Sequence, residues 1–560
     1  MRVAVAGGGP GGLFLATLIR RADPSIEVTV FERNRADDTF GFGVVFSDRT
    51  LAGIHEADPV LREALSQHGR HWDQIEVRLK GERIRCGGNG MAAVVRRTLL
   101  ALMQARARDV GAQLRFSTEV GLDDLGQYDL VVAADGAGSR IREQVGADLD
   151  VRVETATAKF IWFGTDYLFE GLTFVHERGP DGVFAVHGYP ISDEVSTFIV
   201  ETDEASWRQA GLDEFDVSQP PGPSDLRTKD YLEKLFAEQI DGRRLLVNNS
   251  RWGNFRTRRT GRWHTMAPRP VAFLGDAVHT AHFSVGSGTK MAMEDAVALA
   301  GAITENPGDL GAALVAYEQA AQPSVRRIQD SARPSLAWWE HFGRYHDEFE
   351  PWQFAYHFLS RSITDSRLAR RDPEFVAAGH RAWVSRHGAE PLETPFTGPG
   401  WSTPTRLVTV SEAGGVPTAV AGGVPTAVAG GVPASAGVAG GQAPPAGDEG
   451  GQPLPAGGQA PLPLCDEPRT GPWGARVTAP QDETGLPPVF ARLAELAGLG
   501  AAAPTLVAVH GGTSLTRMLL CEQARMHDRL PALLVEPGAD RDQALTTVLS
   551  GRADLVGVTA

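Results

Sequence analysis

The hydrophobic pattern of this chain changes character twice. Up to about residue 385, short apolar runs end repeatedly in glycine. Arg2-Val-Ala-Val-Ala6 and Glu27-Val-Thr-Val-Phe31 have the length and β-branched content of buried parallel strands, and Leu13 to Arg21 between them reads as a helix. Asp129-Leu-Val-Val-Ala-Ala-Asp135 and Val271 to Leu274 are two more such strands, the second followed by a helix from Thr289 to Ala302. Between them lie 159–163, 172–176, 182–187 and 196–201, rich in β-branched and aromatic residues and separated by turn residues. These predict an antiparallel sheet inserted at about 155–260. The expected fold class is α/β with α+β elements.

From Ala413 the periodicity disappears. Ala-Gly-Gly-Val-Pro-Thr-Ala-Val occurs at 413–420 and again at 421–428, and Asp448 and Glu449 alone carry charge between Ala413 and Leu464. Glycine and proline at this density disfavour a packed core, so 413–485 is expected to be a linker, after a connecting segment at 386–412. Periodicity returns at 486–560. It gives a helix at 487–497, a strand at 505–509, a helix at 521–528 and a strand at 531–535, and then a helix, a glycine stop and a strand between Asp542 and Val558.

Bulk properties exclude some classes. At 560 residues the chain exceeds one ordinary core. A net charge of −15, with no long basic run, argues against a nucleic-acid partner. The absence of a run of about 18 apolar residues argues against a membrane span. Three cysteines form neither a CxxC pair nor a disulfide framework, which suits a cytoplasmic location.

Two distant glycine motifs carry the candidate chemistry. Gly7-Gly8-Gly9-Pro10-Gly11-Gly12 follows the first strand and opens the first helix. Gly7, Gly9 and Gly12 fit G-x-G-x-x-G: the first allows the tight turn, the second close approach to a pyrophosphate, the third close helix–strand packing. The helix would aim its N–H groups at that pyrophosphate. Glu32, twenty residues after Gly12, offers a carboxylate to ribose hydroxyls. This unit predicts a dinucleotide site and leaves FAD and NAD both open. Downstream, Asp135-Gly136-Ala137-Gly138-Ser139-Arg140-Ile141-Arg142 has the spacing D-G-x-x-S-x-x-R, more than an Asp-Gly turn requires. Gly275-Asp276 places an aspartate after a buried strand, where it can accept from a ribityl hydroxyl. Gly286 and Gly288 would put N–H donors near a flavin pyrimidine, where such donors stabilise negative charge.

With these three motifs in order, the chain resembles the single-component FAD aromatic hydroxylases of the para-hydroxybenzoate hydroxylase type, over about residues 1–385. The resemblance implies a Rossmann-like FAD-binding domain whose inserted sheet roofs an aromatic substrate, with O2 and either NADH or NADPH as co-substrates. It implies cofactor contacts from Gly7, Gly9, Pro10, Gly12, Glu32, Arg33, Arg96, Asp135, Asp276, Gly286, Gly288 and Thr289. Two positions depart from the family pattern: Phe283 stands where proline is usual and Thr289 where asparagine is usual. The stretches 41–48, 279–290 and 332–340 are similar to the branch that hydroxylates aryl-CoA thioesters, acting on salicylyl-CoA or on 2-aminobenzoyl-CoA. His187 and His282 are candidate catalytic residues by strand position and proximity. The cluster Arg251, Arg256, Arg258 and Arg259 could hold CoA phosphates or lie in a solvated loop.

The tail resembles the closing units of an old-yellow-enzyme TIM barrel. Such a barrel takes about 250 residues, whereas the chain ends 150 residues after Val410. A vestigial reductase at 486–560 is therefore expected, without ring reduction. That favours C5 hydroxylation of salicylyl-CoA to gentisyl-CoA over 2-aminobenzoyl-CoA or a free aromatic acid. An oxygen-independent flavin reductase or cyclase of the same fold is the alternative from another class.

Overall fold

The structure is a computed structural model that describes all residues except 40, 217–221, 284–285, 287, 412–414, 417–460 and 560. The chain divides into two compact units, Met1–Gly379 and His380–Ala560. The boundary falls close to the expected 385, inside the helix Pro373–His387.

In the first unit a six-stranded sheet forms the floor. Its order is His264–Thr265, Val271–Phe273, Leu130–Ala133, Arg2–Ala6, Glu27–Phe31 and Gln113–Arg115. All neighbours are parallel except the first pair. Strands buried on both faces explain the unbroken apolar runs: Val3, Val5, Val131 and Val132 are fully buried. The helix Pro10–Ala22 packs on this sheet, and the helix Gly288–Glu305 packs on that helix.

The second sheet is the expected insertion. Val151–Thr165, Ser196–Thr202, Gly182–Pro190 and Leu172–Gly179 run antiparallel in that order. The hairpin Ile75–Leu79 and Glu82–Cys86 extends it, joined to Leu172–Gly179 in parallel. That extension comes from a segment whose charged alternation (Glu76, Arg78, Glu82, Arg83, Arg85) hides a strand pair. Most of the Arg251–Arg259 cluster lies on a strand rather than in a loop, with Arg256 exposed on it. Gly253–Thr260 is a strand along Val151–Thr165, Arg258 is buried, and Arg259 pairs with Asp330 at 3.0 Å.

The second unit is built on a seven-stranded sheet in the order Leu407–Val410, Leu555–Thr559, Ala532–Val535, Leu506–Gly511, Gly474–Ala479, Leu462–Cys465 and Gly415–Val416. Every neighbouring pair is parallel except the last. The helices Leu486–Ala497, Ser514–Met526 and Arg541–Leu549 connect successive parallel strands. Two expected boundaries move. The 386–412 segment contributes an edge strand rather than a mere connection. The stretch expected as linker as far as 485 holds three sheet strands, because Val416, Leu462, Leu464, Ala475 and Val477 find a buried face there. Proline and glycine around them masked that periodicity. The repeats from 417 to 428 lie outside the described residues.

Candidate active site

The Gly7–Gly12 turn divides its glycines by function. Gly7 has φ +115°, and a Cβ there would lie 2.1 Å from the Ala134 carbonyl oxygen; one on Gly12 would lie 2.2 Å from the Gly7 oxygen. These two are required by the protein itself. A Cβ on Gly9 would meet nothing within 4 Å, so the glycine there leaves room for something the chain does not supply. Pro10 is the first residue of the helix, where its missing N–H is harmless. Glu32 anchors the turn: its carboxylate accepts from the Gly8 N–H at 2.8 Å and from Asn34 at 2.8 and 2.9 Å. Arg33 follows it and is exposed.

The second and third motifs clamp one another. Ser139 caps the helix Arg140–Val145 by accepting from the Arg142 N–H, and Arg142 donates to the Ala137 oxygen at 2.9 Å and the Ala277 oxygen at 2.7 Å. Arg258 donates to the Asp276 oxygen at 2.9 Å. Asp295 accepts from the Gly275 N–H at 2.9 Å and contacts His279 Nε2 at 2.7 Å. The serine and arginine of D-G-x-x-S-x-x-R thus hold the loop that carries Asp276. Asp135 accepts from the Ile141 N–H through one oxygen, and the other is buried without a partner among the described residues.

Asp276 opens onto a cavity of about 630 Å3, together with Arg96, Gly286, Gly288 and Thr289. Burial raises the Asp276 carboxyl above its usual range, opposed by His279, Arg96 and Arg258. Burial likewise lowers the Arg96 guanidinium, and its Nε has no partner among the described residues. A Cβ on Gly286 or Gly288 would meet open space. Unsatisfied buried donor and acceptor atoms beside bare glycines fit a large polar cofactor, and FAD matches both ends of the arrangement. One expectation changes: the Gly286 N–H is already given to the Phe283 oxygen at 2.8 Å. The start of the helix Gly288–Glu305 remains at the cavity wall for the flavin.

The opposite wall belongs to the inserted sheet. Trp162, Phe174, His187 and Tyr189 line it, with Phe283 and Arg361. Phe283, the departure from proline, packs against Phe160 at 5.1 Å, His187 at 5.5 Å and Trp162 at 6.0 Å between ring centroids. Its ring therefore closes an aromatic enclosure. Burial pushes the Tyr189 hydroxyl up to about 12. His187 lies on the wall, but His282 does not line the cavity; it is buried behind it. Both approach Glu201, which the sequence reading passed over: His187 Nε2 is 2.7 Å and His282 Nε2 3.7 Å from its carboxylate oxygens. The available signal was an acid closing the apolar run 196–201. Among the described residues no group of acidic, histidine or cysteine side chains could hold a metal, and no helix is long and apolar enough to cross a membrane.

Comparison with known proteins agrees with this geometry. Residues 1–332 match the FAD binding domain family. The chain is 54% identical over 563 residues to a salicyloyl-CoA 5-hydroxylase of Streptomyces sp, covering 100% of both chains. It is 36% identical to the 3-hydroxy-4-methyl-anthranilyl-(aryl-carrier protein) 5-monooxygenase of Streptosporangium sibiricum, over 60% of this chain and 89% of that one. Among solved structures, p-nitrophenol 4-monooxygenase from Pseudomonas putida shares the fold, with a TM-score of 0.50 at 17% identity over 69% of this chain and 95% of that one. The chain belongs to the FAD binding domain family, as an FAD-dependent aromatic monooxygenase.

Proposed function

We propose that the protein hydroxylates salicylyl-CoA at C5, using O2 and NADH or NADPH and giving gentisyl-CoA, water and the oxidised nicotinamide. The carrying observation is the full-length similarity to a salicyloyl-CoA 5-hydroxylase, which includes the second unit. The second relative acts on an aryl group carried as a carrier-protein thioester and also oxidises position 5. Bound FAD would supply hydride acceptance and oxygen activation. The chain would hold its pyrophosphate at Gly9 and Pro10, its adenosine half near Glu32 and Arg33, its ribityl chain at Asp135 and Asp276, and its ring beside Arg96 and Thr289. The aromatic enclosure would exclude water from the ring being oxidised. The parallel strands and connecting helices of the second unit support its reading as a barrel remnant, and a remnant without ring reduction favours salicylyl-CoA over 2-aminobenzoyl-CoA. The buried, unpaired Cys86, Cys465 and Cys521 fit a cytoplasmic enzyme.

The test is product mass spectrometry with salicylate, 2-aminobenzoate and their CoA thioesters, alongside O2 uptake. Gentisyl-CoA as the main product is expected. Turnover of free acids alone would remove the thioester from the proposal, and nicotinamide oxidation without O2 uptake would replace the hydroxylase by a reductase.

A further inference from the structure

We propose that Arg371, with Arg367 and Arg370 beside it, forms the subsite that receives the phosphates of the CoA moiety where the thioester leaves the cavity. This deepens the function proposed above and rests on it for the identity of the acyl group.

The nucleotide end of CoA is too large to share a cavity of about 630 Å3 with a flavin ring, so it must emerge through an open side. Ser331, Ser362 and Arg371 line the cavity and are exposed. They mark an opening where the helix Leu310–Glu348 meets the segment after Leu359, with Ser362 Oγ donating to the Ser331 oxygen at 3.4 Å. The other exposed lining residues are Ser47, Asp276 and Gly286. The last two belong to the flavin wall, and Ser47 carries no charge.

The cations on the lining differ in what already holds them. Arg96 lies on the flavin wall, and Lys290 is paired with Glu294 at 2.6 Å. Arg361 donates to Ser335 Oγ at 2.9 Å and to the Phe358 oxygen at 2.6 Å. Arg371 has only a long contact, Nη1 to Asn89 Oδ1 at 3.4 Å. None of Arg251, Arg256, Arg258 and Arg259 lines the cavity.

The backbone holds Arg371 at the rim. Gly88 has φ +68°, and a Cβ there would lie 2.4 Å from the Arg371 carbonyl oxygen, so the turn 87–89 sits directly against that residue. Asp372 accepts from the Gly87 N–H at 2.7 Å and from the Phe375 N–H at 2.9 Å, so the neighbouring acid is occupied by backbone. Arg367, Arg370 and Arg371 follow at i, i+3 and i+4 around the helix Asp365–Ala369 and its cap, which puts them on one face. All three are exposed, and none forms an ion pair among the described residues. In a chain of net charge −15, uncompensated guanidinium groups beside an opening suit a polyanion. Each presents the planar fork that pairs with phosphate oxygens.

Steady-state kinetics of the FAD-loaded enzyme test the subsite. Arg371→Gln should raise KM for salicylyl-CoA about 10-fold, the loss of one charged hydrogen bond, and Arg371→Glu should raise it further. The KM for the nicotinamide and the FAD content should stay at wild-type values. With the salicylyl thioester of N-acetylcysteamine, which has no phosphate, the variants should match the wild type. The double variant Arg367→Gln, Arg370→Gln should raise KM for salicylyl-CoA about 3-fold; an unchanged value removes these two from the subsite. An unchanged KM in Arg371→Glu overturns the proposal. Equal losses with both thioesters overturn it in favour of a structural role, and a raised KM for the nicotinamide alone assigns the arginines to that nucleotide instead. A wild-type enzyme that does not hydroxylate salicylyl-CoA refutes the function, and the subsite is then judged by calorimetric titration with CoA itself. Weaker binding to Arg371→Glu than to wild type upholds the subsite, whereas equal binding or none overturns it.

Discussion

Replacing Gly9 by alanine should separate folding from cofactor binding. Gly9 sits at φ −75° and ψ 177°, ordinary extended backbone that alanine adopts freely. A Cβ there meets no protein atom within 4 Å. Alanine narrows the unfolded ensemble, so the FAD-free protein should be unchanged or stabilised by about 0.4–1 kcal/mol. The same methyl would stand where the pyrophosphate must approach the turn. Losing one or two charge-assisted hydrogen bonds there, at about 1.5–3 kcal/mol each, amounts to about 3 kcal/mol, or roughly 10²-fold in FAD affinity. The contrast is Gly7→Ala, whose Cβ would lie 2.1 Å from a carbonyl oxygen at φ +115°; this variant should not fold stably. Thermal unfolding of the stripped proteins and flavin-fluorescence titration measure both quantities. A Gly9→Ala protein that binds FAD as tightly as wild type, or that loses stability without FAD, refutes the assignment of that space to the cofactor.

Other outcomes follow from the clamps and the buried histidine. Arg142→Met should lower FAD occupancy through the freed Asp276 loop and destabilise the first unit by about 3 kcal/mol, two charged hydrogen bonds being lost; calorimetry and the flavin-to-protein absorbance ratio test this. Asp276→Ala should purify largely free of FAD, and near-full occupancy would contradict its role. His282 is lowered from 6.5 to about 3 by burial. The unfolded chain therefore takes up a proton first as pH falls, and stability present above about 6.5 is lost between there and about 3. His282→Asn should remove up to about 1.4 kcal/mol per pH unit of that slope in acid-unfolding titrations; an unchanged slope would mean the ring is protonated in the native state. Deleting 421–428 should leave the unfolding of the second unit within about 0.5 kcal/mol of wild type.

Local motifs were legible because each needs neighbours only a few residues apart. The parallel strands, the glycine turn and the inserted sheet all follow from apolar runs and turn residues. What escaped depends on contacts across the fold. Arg142 could be seen as part of a spacing, but its partner at Ala277 lies 135 residues away. Glu201 reads as an ordinary strand end until two strands and the loop at 279–283 bring both histidines to it. Arg258 looked like one of a basic group, although the strand it occupies turns it inward to Asp276. The strands at 407–410 and 462–465 are short and flanked by proline, and only burial in the seven-stranded sheet reveals them.

The ends of the repetitive segment are neighbours. Gly415 pairs with Pro463 and Val416 with Leu462, antiparallel at one edge of the sheet. The chain therefore departs and returns at a single doorway, whatever the distance travelled between. Loop closure costs only about 0.6 kcal/mol for each doubling of length, so copies of the octapeptide can be gained or lost with little effect on the sheet register. Tandem copies are the form in which genes most readily lengthen and shorten. The pairing makes this position a tolerant one for evolution, and equally a port where a reporter domain could be spliced without disturbing either unit.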